Sequence, residues 1–196
     1  FEEIASTGMF SLGRPLTVTH GDCRIDNVFL SDSVDGEAVS VDFQLSHIGY
    51  GTLDTTYAIM WNIAEDVSME QNLELLHHYY NSLIANKPSI KDTYSFIDCG
   101  RDYVIALHFC NYGFCMACEN AMRSLKKNKK TSTMFFTKVD QNLQRWNAKE
   151  VFLQALDNVR TDPKTGIVSM VSVTQEKRLS VMPQFFKDYV MSHNLM

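Results

Sequence analysis

The sequence predicts an α+β fold, mainly helical with one small β-hairpin, and three observations carry that reading. The β-prone runs are short and gather near the amino end. Leu16, Val18 and His20 alternate with Thr17 and Thr19, while Val28-Phe29-Leu30 and Ala38-Val39-Ser40-Val41 flank a stretch rich in Asp, Ser and Gly, Ser31 to Gly36. From Leu53 to about Val159, apolar residues recur at helical intervals instead. With 196 residues, 45% hydrophobic and 21% charged, the chain has enough apolar material for a sizeable core.

Taken in order, Phe1 to Arg14 is a short lead-in with Gly8 and Gly13, and Leu16 to Asp54 holds the strand, a loop and the hairpin. A helix follows whose Leu53, Tyr57, Met60, Trp61 and Ala64 bury one face against the hairpin, with Asp54 in its first turn, where a carboxylate suits the helix dipole. Ser68-Met69-Glu70-Gln71 is a capping box, and Leu73, Leu76, Tyr80, Leu83 and Ile84 mark the helix behind it. His77 and His78 are neighbours on that helix, not at i, i+4, so they read as interface or surface residues. Lys87-Pro88-Ser89 breaks the helix, and the pattern is helical again from about Asp92 to Leu125, apolar on most sides as befits a central element. Further helices are expected over Met134–Trp146 and Ala148–Val159. Asp162 to Gly166 is a turn, Ile167 to Val173 is β-prone, Arg178 to Val181 is ambiguous, and Pro183 to His193 forms a final helix. The organisation expected is one unit over 1–161, divided into 16–54 and a helical part 55–161, and a tail over 162–196 that docks either on its own unit or on another subunit.

The chemistry concentrates in one place. His20-Gly21-Asp22-Cys23-Arg24-Ile25-Asp26-Asn27 fits H-x-D-x-x-x-x-N, the catalytic-loop pattern of phosphoryl-transfer enzymes, and Asp42-Phe43 follows fifteen residues after Asn27. A hairpin sets its two ends side by side, so Asn27 and Asp42 can grip one cation, and an amide oxygen with a carboxylate suits magnesium. Asp22 projects toward the same point and can accept a proton from an attacking hydroxyl. A lone Asp or His in a loop is ordinarily a turn former or a solvated charge. Here the residue types fall in register on a strand, a loop and a hairpin.

H-G-D-x-x-x-x-N, then V-D-F-Q-L-S, then G-x-x-x-x-D together resemble the aminoglycoside phosphotransferase and choline kinase-like superfamily, and the D-F-Q-L-S wording looks most like its ecdysteroid kinase-like branch. The resemblance covers Leu16 to Ala64 and, less closely, the helices to about Trp146. It implies a protein-kinase-like carboxy-terminal lobe. It further implies Asp22 as catalytic base, Asn27 and Asp42 as ligands of Mg2+, ATP as phosphoryl donor, His20 packed under the loop and Asp54 bonded to the loop from the next helix. Asp26, beside Asn27, departs from the small or amide residue common there and is read as solvent-facing. Only nineteen residues precede His20, with no Gly-rich phosphate loop and no V-A-I-K-like lysine strand, so the likeness is to a carboxy-terminal lobe alone. A missing amino-terminal lobe or a partner subunit is therefore expected.

Other features narrow the function. Gly21 replaces the Arg of H-R-D and only eleven residues separate Asp42 from Asp54, which argues against a peptide-docking segment and for a small-molecule alcohol as acceptor. A net charge of −5 gives no general footprint for nucleic acid or an anionic membrane, and no apolar run approaches a bilayer span. The basic run Lys126 to Lys130 reads as a solvated loop or a contact for an acidic group. Cys110, Cys115 and Cys118 match C-x4-C-x2-C of some iron–sulfur proteins, but on a helix they spread over about 140° and about 12 Å of rise, too far to share a cluster. Five cysteines, an odd number partly in a core helix, indicate buried thiols in a reducing, cytoplasmic setting, with Cys23 the one nearest a ligand.

Two functional readings follow. The first is a Mg2+- and ATP-dependent phosphotransferase acting on a small-molecule hydroxyl, this chain being its carboxy-terminal lobe. The second is a non-catalytic, kinase-derived scaffold or interaction subunit.

Overall fold

The computed structural model describes residues 15–31, 36–62, 68–124, 137, 140–161, 168–170 and 173–196, with the backbone alone for 61, 62, 111–124, 159–161 and 168–170. Several sequence readings lie outside these residues: the lead-in Phe1–Arg14, the hairpin tip at 32–35, the side chains of Trp61, Cys115 and Cys118, Ala64, the basic run Lys126–Lys130, the start of the helix at Met134, and the turn Asp162–Gly166.

The architecture is mainly helical with small antiparallel strand pairs. Strand β1 (Thr17–Thr19) pairs with β4 (His47–Gly49), Val18 opposite Ile48; β2 (Val28–Leu30) pairs with β3 (Ala38–Ser40), Phe29 opposite Val39. A third pair joins β5 (Val159–Thr161) to β6 (Val168–Met170). The helices are α1 (Gly51–Asn62), α2 (Met69–Asn86), α3 (Phe96–Ser124), α4 (Ala148–Asp157), α5 (Gln175–Ser180) and α6 (Gln184–Ser192), with a further helical stretch over 140–145.

Local chemistry sets these boundaries. Both bonds of the Ser68/Gln71 capping box are present at the start of α2, and the chain leaves that helix at Lys87 before Pro88. Helix α3 begins at Phe96, four residues later than the apolar periodicity implied. Pro88–Asp92 forms a 3-10 turn, and Ser95 opens the helix: its Oγ accepts from the Asp98 amide at 3.2 Å while Asp98 Oδ2 accepts from the Ser95 amide at 3.1 Å. Asn147, at φ 49°, separates the helical turn carrying Trp146 from α4, and α4 stops at Asp157 because Val159 is taken into a strand.

A single core joins these helices. Leu73, Leu76 and Tyr80 of α2, Phe96, Ile97, Val104 and Leu107 of α3, Trp146, and Val151 of α4 are buried together with Met182, Phe186 and Val190 of the tail. The ring of Phe186 stacks on Phe96 at 5.6 Å, and Phe185 meets Trp146 edge-on at 5.1 Å. Close approach is possible because α3 carries Gly100 there; a Cβ at that position would lie 2.4 Å from the Phe186 ring. Arg178 of α5 also pairs with Asp98 of α3. Of the two placements open to the tail, the described part from Val173 onward takes the first and docks on its own unit. His77 faces that tail, its ring beside Phe96, Tyr189 and His193, whereas His78 is exposed. Helix α1 packs chiefly on α3 and next on β1, not on the hairpin as the sequence suggested, with Met60 in the core and Tyr57 packed against it, because its apolar face meets the longer apolar helix.

Candidate active site

The loop after β1 is built around His20. Its ring is buried, Nε2 donates to the carbonyl of Val41 at 2.8 Å, Nδ1 accepts from the backbone amide of Asp22 at 3.3 Å, and Phe43 packs on the ring at 4.6 Å. One neutral imidazole thus ties the loop to the far strand of the hairpin, and a carbonyl partner on Nε2 fixes the tautomer. Next to it, Gly21 adopts φ +81°, and a Cβ there would meet the Leu45 carbonyl oxygen at 2.3 Å. Only glycine fits both the left-handed backbone and the space, so the physical reason for Gly in place of Arg is backbone contact with the D-F-Q-L segment.

Asp54, in the first turn of α1, holds the same loop from the other side. Its Oδ2 accepts from the His20 amide at 2.6 Å and its Oδ1 from the Gly21 amide at 2.9 Å. Two adjacent backbone donors that no ladder satisfies are thereby bonded to one carboxylate, a charge-assisted arrangement.

Asp22 stands at the centre, with its side chain 14% exposed. Asn27, buried at the end of the 3-10 turn Ile25–Asn27, donates through Nδ2 to the Asp22 carbonyl at 2.9 Å and to Asp22 Oδ2 at 3.1 Å. With that nitrogen committed, the amide oxygen is the atom left for a cation. The Val41 amide donates to the Asn27 carbonyl at 2.9 Å, closing the base of the hairpin, so Asp42 follows directly on the residue bonded to Asn27. Asp42 sits at φ 65°, ψ 59°, a left-handed conformation uncommon outside glycine, and is exposed. An amide oxygen and a carboxylate at adjoining hairpin ends are hard oxygen donors, so the residues present fit a magnesium ion that keeps waters and phosphate oxygens as its other ligands. Among the described residues no cluster of three or more His, Cys, Asp or Glu is arranged to hold a metal. Asp26 is 75% exposed, 3.8 Å from Arg24.

Two contacts of Asp22 come from residues to which the motif assigns no role. The Tyr57 hydroxyl donates to Oδ1 at 3.0 Å, and Arg24 Nε donates to the same oxygen at 3.1 Å. Burial, and then the bond to Asp22, push the Tyr57 phenol well above its ordinary range, so it remains a donor. The signal in the sequence was spacing: Tyr57 lies three residues after Asp54 and so on the same helix face. Cys23 is half-buried, and burial followed by the Asp54 and Asp22 charges raises its pKa above the usual thiol value, which disfavours the thiolate.

The segment between Asp42 and Asp54 is fully used by structure: the 3-10 turn Phe43–Leu45, strand β4 paired to β1, and the start of α1. Among the described residues no helix is long and apolar enough to cross a membrane. Comparisons with curated proteins and with solved structures give no match. Residues 9–91, which take in the loop, the hairpin, α1 and α2, match the model of the Ecdysteroid kinase-like family, the branch that the D-F-Q-L-S wording resembles.

Proposed function

We propose that this chain is the carboxy-terminal lobe of a Mg2+- and ATP-dependent phosphotransferase whose acceptor is the hydroxyl of a small molecule. The observation that carries the reading is the convergence on Asp22: a carboxylate bonded to Asn27, next to Asp42, on a loop whose backbone Asp54 and His20 hold from two sides. Asp22 orients the acceptor hydroxyl and takes its proton as the oxygen attacks. Asn27, through its amide oxygen, and Asp42 would hold the metal. The ion, when bound, neutralises charge on the phosphates. His20, Gly21 and Asp54 keep the loop rigid, so that most of the catalysis is positioning. With residues 43–53 occupied by a turn, a strand and a helix start, a small alcohol suits the site better than a peptide.

A second body over this site belongs to the proposal, either an amino-terminal lobe or a partner subunit. Val18 and Ile48, opposite each other on β1 and β4, and Phe29 and Val39, opposite each other on β2 and β3, are each more than half exposed, as are Leu30, Phe43 and Leu45. Exposed apolar pairs on both strand pairs around one loop favour a covering partner, and two-stranded ribbons gain stability when packed. The same observation supports the scaffold reading, in which the partner is kept and the chemistry is lost. The two part on metal dependence. In the full-length protein, Asp42→Asn is expected to raise the Mg2+ concentration needed for half-maximal phosphoryl transfer at least tenfold. Transfer with an unaltered Mg2+ requirement removes Asp42 as a ligand, and no transfer by the wild type to any alcohol favours the scaffold.

A further inference from the structure

We propose that Tyr57 is a positioning residue of this site, acting through Asp22 to present Oδ2 as the oxygen that receives the acceptor's proton; the proposal rests on the phosphotransferase reading. An ionised carboxylate has about four lone-pair sites on its two oxygens. Among the described residues Oδ1 carries two donors, the Tyr57 hydroxyl at 3.0 Å and Arg24 Nε at 3.1 Å, while Oδ2 carries one, the Asn27 amide at 3.1 Å. The remaining acceptor capacity lies on Oδ2, the oxygen bonded to the Asn27 amide. As the acceptor O–H bond breaks, its proton passes to Oδ2. The hydroxyl oxygen forms the new bond to the γ-phosphorus of ATP, and the bond from that phosphorus to the leaving ADP oxygen breaks.

Tyr57 is better suited than Arg24 to fix the carboxylate. Arg24 is 41% exposed, also lies 3.8 Å from Asp26, and makes an ion pair that solvent screens. Tyr57 projects from α1, one helical turn after Asp54. A single helix face thus holds the loop twice, once through the backbone amides of His20 and Gly21 and once through the base itself. Phenol on Oδ1 and amide on Oδ2 bond the carboxylate at both oxygens and so oppose its rotation.

The test is a double-mutant cycle in the full-length protein, read as kcat and KM for transfer from MgATP to an accepted alcohol, or to water where no alcohol is taken. Tyr57→Phe keeps the ring and removes the hydroxyl. It is expected to lower kcat about tenfold with the KM for ATP unchanged, and to cause no further loss on top of Asp22→Asn. An unchanged kcat, or an equal loss with and without Asp22, overturns the proposal. Tyr57→Leu guards against a packing effect: matching losses for Phe and Leu support the hydroxyl, and a loss for Leu alone overturns it. No transfer by the wild type would take down the phosphotransferase reading itself and Asp22→Asn without effect the assignment of the base, whereas failure of Tyr57→Phe beside a slowed Asp22→Asn removes only the role of Tyr57.

Discussion

At the scale of single residues, the loop is over-determined around Gly21 and Asp54. Gly21→Ala adds a Cβ 2.3 Å from a backbone oxygen at a left-handed φ, and a backbone atom cannot move aside cheaply. We expect a loss of about 1–3 kcal/mol in chemical denaturation; a loss near zero would mean that the D-F-Q-L turn is free to shift. Asp54→Ala leaves the His20 and Gly21 amides without their acceptor and should cost about 1–3 kcal/mol by the same measurement. Asp22, Asn27 and Asp42 could be picked out in the sequence because their types and spacing form one local pattern. Tyr57 and Arg24 could not. Tyr57 reaches Asp22 across 35 residues, and at helical spacing an aromatic reads as core whether or not its hydroxyl has work to do. Arg24 sits inside the motif at a position the pattern leaves open.

At the scale of elements, helix positions were legible wherever capping and periodicity agreed, as at Ser68 for α2. The start of α3 was not, because a helix-like run continues through the 3-10 turn Pro88–Asp92 and masks the cap at Ser95. The docking of the tail was equally hidden: Phe186 is buried only because Gly100 on α3 leaves room for it, a pairing 86 positions apart. Gly100→Ala should push Phe186 off Phe96 and destabilise the protein by about 1–3 kcal/mol. His77 adds a pH dependence. Burial, and then the neighbouring His193, hold its pKa below the ordinary value of 6.5. Around it stand Tyr189 and His193 from the tail and Phe96 from α3, with Glu70 and Glu74 of α2 acting on Tyr189. The unfolded chain therefore binds the proton more readily than the folded one. Stability from this group is present above about pH 6.5 and is lost as pH falls from there through the lower folded value. His77→Gln should flatten the fall of the thermal midpoint below pH 6.5, and an unchanged slope would contradict this.

At the scale of the whole molecule, one core runs from α2 through α3 to the terminal helix, and the loop with its two strand pairs lies at its edge with apolar side chains uncovered. The sequence predicted the mixture of helix and short strands because the two periodicities occupy separate stretches. It left the tail's partner open because an apolar segment fits its own unit as well as another chain. The exposed Phe29, Val39, Val18 and Ile48 belong to the strand pairs, where the proposed second body would sit. The measurement that bears most directly on function is phosphomonoester formation, followed by 31P NMR, when the full-length protein is given MgATP and a panel of small-molecule alcohols, wild type beside Asp22→Asn. Phosphotransferase action predicts a new ester signal whose rate falls at least a hundredfold in the variant. An ester signal formed equally fast by Asp22→Asn would contradict the assignment of the base and, with it, the reading of the loop.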